Sequence, residues 1–219
     1  HIVNLLDAAA PKLPSIRTAA DQGKASAGAC MALKARVAYY AHKYDVAETA
    51  AKAVMDMNVY GLADNYEMLF NPEYEMSNEI IFAKQYNANP ANSMAHGWEA
   101  LSPTQDMIDA YECVDGLPIS ESPLYDAANP YENRDPRLAY SILWPGAEFP
   151  RGVDQTIVKF DNKNMGDGSH TRTGYSMRKY FDADEYPLRV YYQCNFIYIR
   201  YAEVLLTYAE ARNEQLSAP

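Results

Sequence analysis

Two helical runs separated by almost no turn, Ala25 to Lys43 and Asp45 to Met57, constrain this chain more than any other feature in it. Helices joined so tightly lie antiparallel and side by side. The first run, GKASAGACMALKARVAYYAHKY, sets Gly28, Ala32, Ala35 and Tyr39 on one face, so a neighbouring helix can approach its backbone closely. The second, DVAETAAKAVMDM, aligns Val46, Ala47, Ala50, Ala51 and Val54 on one stripe, with Asp45 positioned as its N-cap. His42 falls at the end of the first helix, where a positive charge complements the C-terminal dipole.

This spacing resembles a tetratricopeptide repeat, in which a small residue early in the second helix, here Ala47, nests against an aromatic, here Tyr40 or Tyr44. One copy buries no continuous core, since about three are the usual minimum, so other helices must pack on it. The terminal run YIRYAEVLLTYAEARNEQLSAP supplies a candidate. It places Tyr201, Leu205, Tyr208 and Arg212 at i, i+4, i+7 and i+11, with Leu206 and Ala209 widening the apolar stripe and Glu203, Glu210 and Glu214 off it. Such a stripe needs a covering helix, and none follows it in the sequence.

Composition narrows the classes. With 219 residues, 48% of them hydrophobic, the chain can build a sizeable core. Its aromatics are 19 Tyr against 6 Phe and 2 Trp, rings whose polar handle suits half-wet surfaces. A formal charge of -10 argues against a nucleic-acid partner, which needs clustered Lys and Arg. No apolar run is long enough to span a membrane, and the opening HIVNLLDAAAPKLP lacks the n- and h-regions of a signal peptide. A chain that opens on His1 is equally compatible with a signal already removed. Cys30, Cys113 and Cys194 show neither zinc spacing nor a disulfide framework and read as small apolar residues.

Between the helical ends the chain is rich in loops. EIIFAKQY, Glu79 to Tyr86, alternates as a strand does, and NANPANSMAHGWEALSP, Asn87 to Pro103, is a long polar loop of the kind that carries function. TQDMIDAYE, Thr104 to Glu112, reads as a short helix with Met107, Ile108 and Tyr111 on one side, and Leu138 to Leu143 as a strand.

Six segments in order carry a family resemblance: the helical pair GKASAGACMALKARVAYYAHKYDVAETAAKAVMD, SNEIIFAKQYN, TQDMIDAYECVDGLPI, PYENRDPRLAYSILWPG, TGYSMRKYFD and IRYAEVLLTYAEARNE. Together they resemble the SusD/RagB family of Bacteroidetes surface lipoproteins. The resemblance implies a mainly α fold of tetratricopeptide-like helical hairpins with long loops and a few short strands. It makes 1–219 the central portion of one such domain, with a hairpin at 25–57, a loop-rich ligand face at 58–197 and the first helix of a further hairpin at 198–216. It also implies a longer whole protein, whose partner for the terminal helix and whose lipid-bearing cysteine lie outside this sequence. The implied activity is non-enzymatic: capture of an oligosaccharide or other nutrient at the outer membrane and delivery to a SusC-like TonB-dependent transporter, with no cofactor, no metal and no nucleic acid. Alternatives are a tetratricopeptide-type protein scaffold or a glycoside hydrolase, which requires two facing carboxylates.

The expected ligand residues are Trp98, a platform for the apolar face of a sugar ring, with His96, Asn92 and Tyr86 serving hydroxyls around it. Trp144, before Pro145 and Gly146, reads instead as a core or turn aromatic, and of Tyr191 and Tyr192 one must face inward. The turn Asn133 to Arg137, NRDPR, reads as a loop tie in which Asp135 receives an arginine. DNKNMGDGSHTR fails as a calcium loop because Lys163 and Arg172 occupy ligand positions. No nucleophile elbow, HExxH or phosphate loop is present.

Overall fold

The computed structural model describes residues 1–85, 102–151, 156–161, 171–180 and 195–217. These form two compact units. One comprises His1–Asn65, Glu73–Gln85 and Asn195–Pro219, the other Tyr66–Pro72 and Tyr86–Cys194. Among the described residues helices dominate, with three two-stranded antiparallel sheets.

The first unit contains α1 (Ile2–Ala9), α2 (Ala27–Tyr40), α3 (Tyr44–Asp56), β1 (Ile80–Lys84), β6 (Phe196–Arg200) and α6 (Tyr201–Ser217). Ser26 starts α2 by accepting the Ala29 N–H at 3.1 Å, which satisfies one of the helix's orphan donors. The chain then turns through His42, in the left-handed region at φ 54°, and its Nδ1 meets the Tyr44 hydroxyl at 2.8 Å. Asp45 is not the cap of α3. The helix begins one residue earlier behind Lys43, and Asp45 falls in its first turn, where a carboxylate still favours the dipole.

The hairpin closes on alanine. Ala47, Ala50, Ala51 and Val54 of α3 are buried, and α2 and α6 both pack along α3. Ala38, Ala47 and Ala211 meet at a fully buried three-helix junction with Tyr39 and Tyr44 around it. The ring beside Ala47 is therefore not Tyr40, which is 77% exposed. Gly28 meets a ring rather than a helix: a Cβ there would lie 2.6 Å from Tyr60 Cε2.

One face of the terminal helix packs on α3, earlier in the chain. Its buried face is Val204, Thr207 and Ala211, rotated from the stripe that hydrophobicity suggests. Leu205 and Tyr208 are half-buried, Leu206 is 63% exposed, and Arg212 turns outward to Glu48 at 3.4 Å. An alanine surface accepts small and short branched side chains and pushes large ones to the edge of the contact.

A two-stranded sheet completes this unit. The register runs Ile80↔Arg200, Phe82↔Ile199, Ala83↔Ile197 and Lys84↔Phe196, which leaves Ile81 and Tyr198 as extra residues at two irregularities. Ile81 and Ile199 join the helical core. Glu79, nearly buried, pairs with Arg200, accepts the Ala63 N–H at 2.7 Å, and offers its own carbonyl to the Tyr201 N–H at 2.8 Å, tying the strand ends to the start of α6.

The second unit has α4 (Gln105–Asp109), α5 (Pro136–Ser141), β2 (Ile142–Leu143), β3 (Glu148–Arg151), β4 (Thr156–Lys159) and β5 (Ser176–Met177). Strand β2 pairs with β5, and β3 with β4. The segment Leu138 to Leu143 is mostly helix, with strand only in its last two residues. Asp135 accepts the Arg137 N–H at 2.8 Å as N-cap and Pro136 occupies the first turn, a start signal that outweighs the β-like run after it.

Candidate ligand-binding site

In the first unit, segment 16–24, residues Val59 and Tyr60, and the strand-bearing stretch 75–85 enclose a pocket of about 190 Å³. Local chemistry fixes its walls. Gly23 takes φ 81°, and an added Cβ would collide with the Gln85 side chain, so only glycine permits this approach. Gln22 Nε2 donates to the Glu75 carbonyl at 2.6 Å, and Arg17 Nε to the Ala25 carbonyl at 2.8 Å. Gln85 Oε1 accepts from Asn195 Nδ2 at 2.9 Å. Tyr60 stacks on Tyr201 with centroids 6.2 Å apart, and its hydroxyl donates to the Ser15 carbonyl at 3.2 Å. Burial raises the Tyr60 pKa, which keeps this wall a neutral phenol.

Charges around the pocket are matched. Arg17, Lys24 and Glu75 line it, and Asp21 pairs with Lys24, whose hydrogen bond and charge, with Arg17 beyond, hold the Asp21 carboxyl below its usual range. Glu75 accepts the Asn195 N–H at 2.7 Å.

Beside the pocket lies an aromatic face. Phe82 lines the pocket and also faces Tyr198 at 6.2 Å, while Tyr198 meets Phe196 edge-on at 5.3 Å. Tyr198 is 49% exposed, and at its irregularity the carbonyl accepts Arg36 Nη2 at 2.6 Å while the same guanidinium forks onto Glu203.

Tyr86, Asn92, His96 and Trp98 lie outside the described residues, as do Tyr191 and Tyr192, the third cysteine Cys194 and most of DNKNMGDGSHTR. Of the residues weighed as structural, Trp144 stacks on Tyr131 at 4.6 Å and packs against the cluster of Ile108, Leu138, Ile142 and Tyr175, so it serves the fold of the second unit. The Tyr131 phenol pKa is raised, chiefly by burial and then by Tyr175. In NRDPR, Arg137 forks onto the Asp135 carboxylate, while Arg134 is buried and donates to the carbonyls of Pro130, Ile108 and Tyr111 at 2.6–2.8 Å. Cys30 and Cys113 are buried free thiols. Among the described residues no three His, Cys, Asp or Glu side chains gather as a metal site.

The pocket residues were not singled out by sequence. The available signals were Gly23 just ahead of the first long helix and the alternation of EIIFAK, which turns Phe82 away from Ile81 and Ala83.

A family model described as the SusD family matches residues 63–216. The chain belongs to the SusD/RagB family. A SusD-like protein from Bacteroides fragilis is 30% identical with a TM-score of 0.80, over 99% of this chain and 48% of that one. A SusD-like carbohydrate-binding protein from the same species is also 30% identical at TM-score 0.80, over 99% and 46%. A SusD superfamily protein from Bacteroides vulgatus is 22% identical at 0.62, over 97% and 44%, a likeness of fold alone. The chain thus spans about half the length of the solved SusD-like relatives it matches. No curated protein matches it.

Proposed function

We propose that the full-length protein captures an oligosaccharide or other nutrient at the cell surface, held to the outer membrane by an N-terminal lipid, and passes it unaltered to a SusC-like TonB-dependent transporter. The observation that carries this reading is the match, across 99% of the chain at 30% identity, to a SusD-like protein described as carbohydrate-binding. The physical chemistry agrees with it. A pocket walled by amides and aromatic rings suits hydroxyl-bearing ligands. Among the described residues the carboxyls with shifted pKa, Asp21, Asp126 and Asp135, are held down, by Lys24, the Ala128 N–H and Arg137 in turn. A glycosidase acid needs the opposite shift.

Trp98, His96, Asn92 and Tyr86 remain our proposed loop contacts, within a ligand face drawn from residues 58–197. Affinity should be modest, roughly millimolar to micromolar or about 4 to 8 kcal/mol, because sugar hydroxyls exchange water for protein hydrogen bonds. The test is a glycan-panel binding assay on full-length protein, native and Trp98→Ala, with a parallel product assay. Binding without products supports capture, and products would turn the reading to hydrolysis. A loss of about tenfold in Trp98→Ala, or roughly 1.4 kcal/mol, places the loop in the site.

A further inference from the structure

We propose that the pocket and the outer aromatic face of β1 and β6 form one continuous surface for two adjoining rings of an uncharged oligosaccharide, an inference that rests on the capture reading above. The joint is Phe82, which walls the pocket and faces Tyr198 at once. At about 190 Å³ the pocket is smaller than the roughly 300–1,000 Å³ typical of drug-sized ligands, so it takes one ring and the next must leave over its lip. That lip is Phe82, and beyond it lies the half-exposed ring of Tyr198, edge-on to the partly buried Phe196, as a platform for the C–H face of a pyranose. Inside the pocket, hydroxyls meet the Asn78 amide, the oxygen of Gln22, and the Nη groups of Arg17, whose Nε is already tied to Ala25. This is the division a sugar requires, with planar rings against its faces and fixed polar groups against its edge.

Charge sets the ligand class. Arg17, Lys24 and Glu75 line the pocket and Asp21 pairs with Lys24 beside it, so each cation has an acidic neighbour to offset it, and a chain of formal charge -10 repels polyanionic glycans. The platform is also set before any ligand arrives, because Arg36 holds the Tyr198 carbonyl while its own charge is neutralised by Glu203.

The experiment uses full-length protein and defined hexasaccharides: glucose hexamers linked β-1,3, β-1,4 and α-1,4, xylohexaose, mannohexaose, and a hexagalacturonate as the acidic arm. Titrations compare native protein with Phe82→Ala, Tyr198→Ala and Trp98→Ala, each checked for a native melt. Because Phe82 also packs on the core, Tyr198→Ala is the deciding variant. The proposal expects a neutral hexasaccharide to bind in preference to hexagalacturonate, and a folded Tyr198→Ala to bind it at least about tenfold more weakly, about 1.4 kcal/mol. It also expects the corresponding monosaccharide to be weakened by Phe82→Ala and left alone by Tyr198→Ala. Unchanged hexasaccharide affinity in Tyr198→Ala, or tighter binding of hexagalacturonate, overturns it. Should Trp98→Ala abolish binding while Tyr198→Ala leaves it intact, capture stands and this surface falls. If no hexasaccharide binds, both fall together.

Discussion

In the unit built on the helical hairpin, several of the most deeply buried side chains are the smallest, Ala38, Ala47, Ala51 and Ala211, and the helices hold by close approach along their length. In the unit around α4 and α5 the helices are only five and six residues long, and bulky side chains are packed about a buried guanidinium, with Ile108 and Leu138 fully enclosed and Arg134 capturing three carbonyls. Short helices leave a larger share of their backbone groups without intrahelical partners. A long hairpin satisfies its backbone internally and needs only shape, whereas the second unit needs a polar group to reach in and collect what its short elements leave over.

The largest effect should come from removing that group. Arg134→Leu leaves the Pro130 and Tyr111 carbonyls without their donor, while the Ile108 carbonyl keeps the Tyr111 N–H at 3.3 Å, and at about 1–3 kcal/mol for each unsatisfied buried group the loss should reach roughly 3 kcal/mol. Protection from hydrogen exchange should collapse around 108–111 and 130–134 before it falls in α2 and α3. If the hairpin opened first, the contrast between the units would be wrong.

The matching test in the first unit is Gly28→Ala. Its Cβ meets the Tyr60 ring, and overpacking of this kind costs about 1–3 kcal/mol, offset by up to about 1 kcal/mol of helix propensity. The melt should fall by a smaller step than for Arg134→Leu, and the double substitution Gly28→Ala with Tyr60→Leu should recover part of it. A stabilised single variant would show that Tyr60 moves away at little cost.

Asp135→Ala removes the α5 cap and the Arg137 partner and should cost about 1 kcal/mol, while Asp135→Asn, which keeps the cap, should cost less. Denaturant titrations of the two separate capping from charge.

The smallest effect is alkaline. Burial raises the phenol pKa values of Tyr111 and Tyr131 in the second unit and Tyr60 in the first, so the folded state favours the protonated ring. The stability they contribute is complete below the unfolded value of about 10 and declines as pH rises above it. Tyr131→Phe should flatten part of that decline in unfolding curves taken across the alkaline range, and an unchanged slope would remove Tyr131 from the account.

How much could be read beforehand follows from the same contrast. The hairpin was legible because small residues recur at helical spacing over several turns in each helix, as in Ala47, Ala50, Ala51 and Val54. The buried face of α6 was not, because hydrophobicity points to Leu206 while the alanine surface of α3 selects Val204, Thr207 and Ala211. In the second unit, NRDPR was legible as a tie, but the helix it starts was not, because Asp135 and Pro136 outweigh the strand-like pattern of Leu138 to Leu143. The pocket escaped notice because its walls come from three separated stretches, each unremarkable alone, while the expected loop contacts around Trp98 lie outside the described residues.

The junction of Ala38, Ala47 and Ala211 has a bearing on how such a chain can drift. Any larger side chain there pushes three helices apart, and glycine, the one smaller choice, loosens the helix that carries it. Alanine is left as the best-fitting letter at each of the three sites. Substitution must therefore accumulate elsewhere, on the outer turns and the long connections, so that a lineage exploring new ligands would rewrite its loops while its helical frame stayed nearly silent.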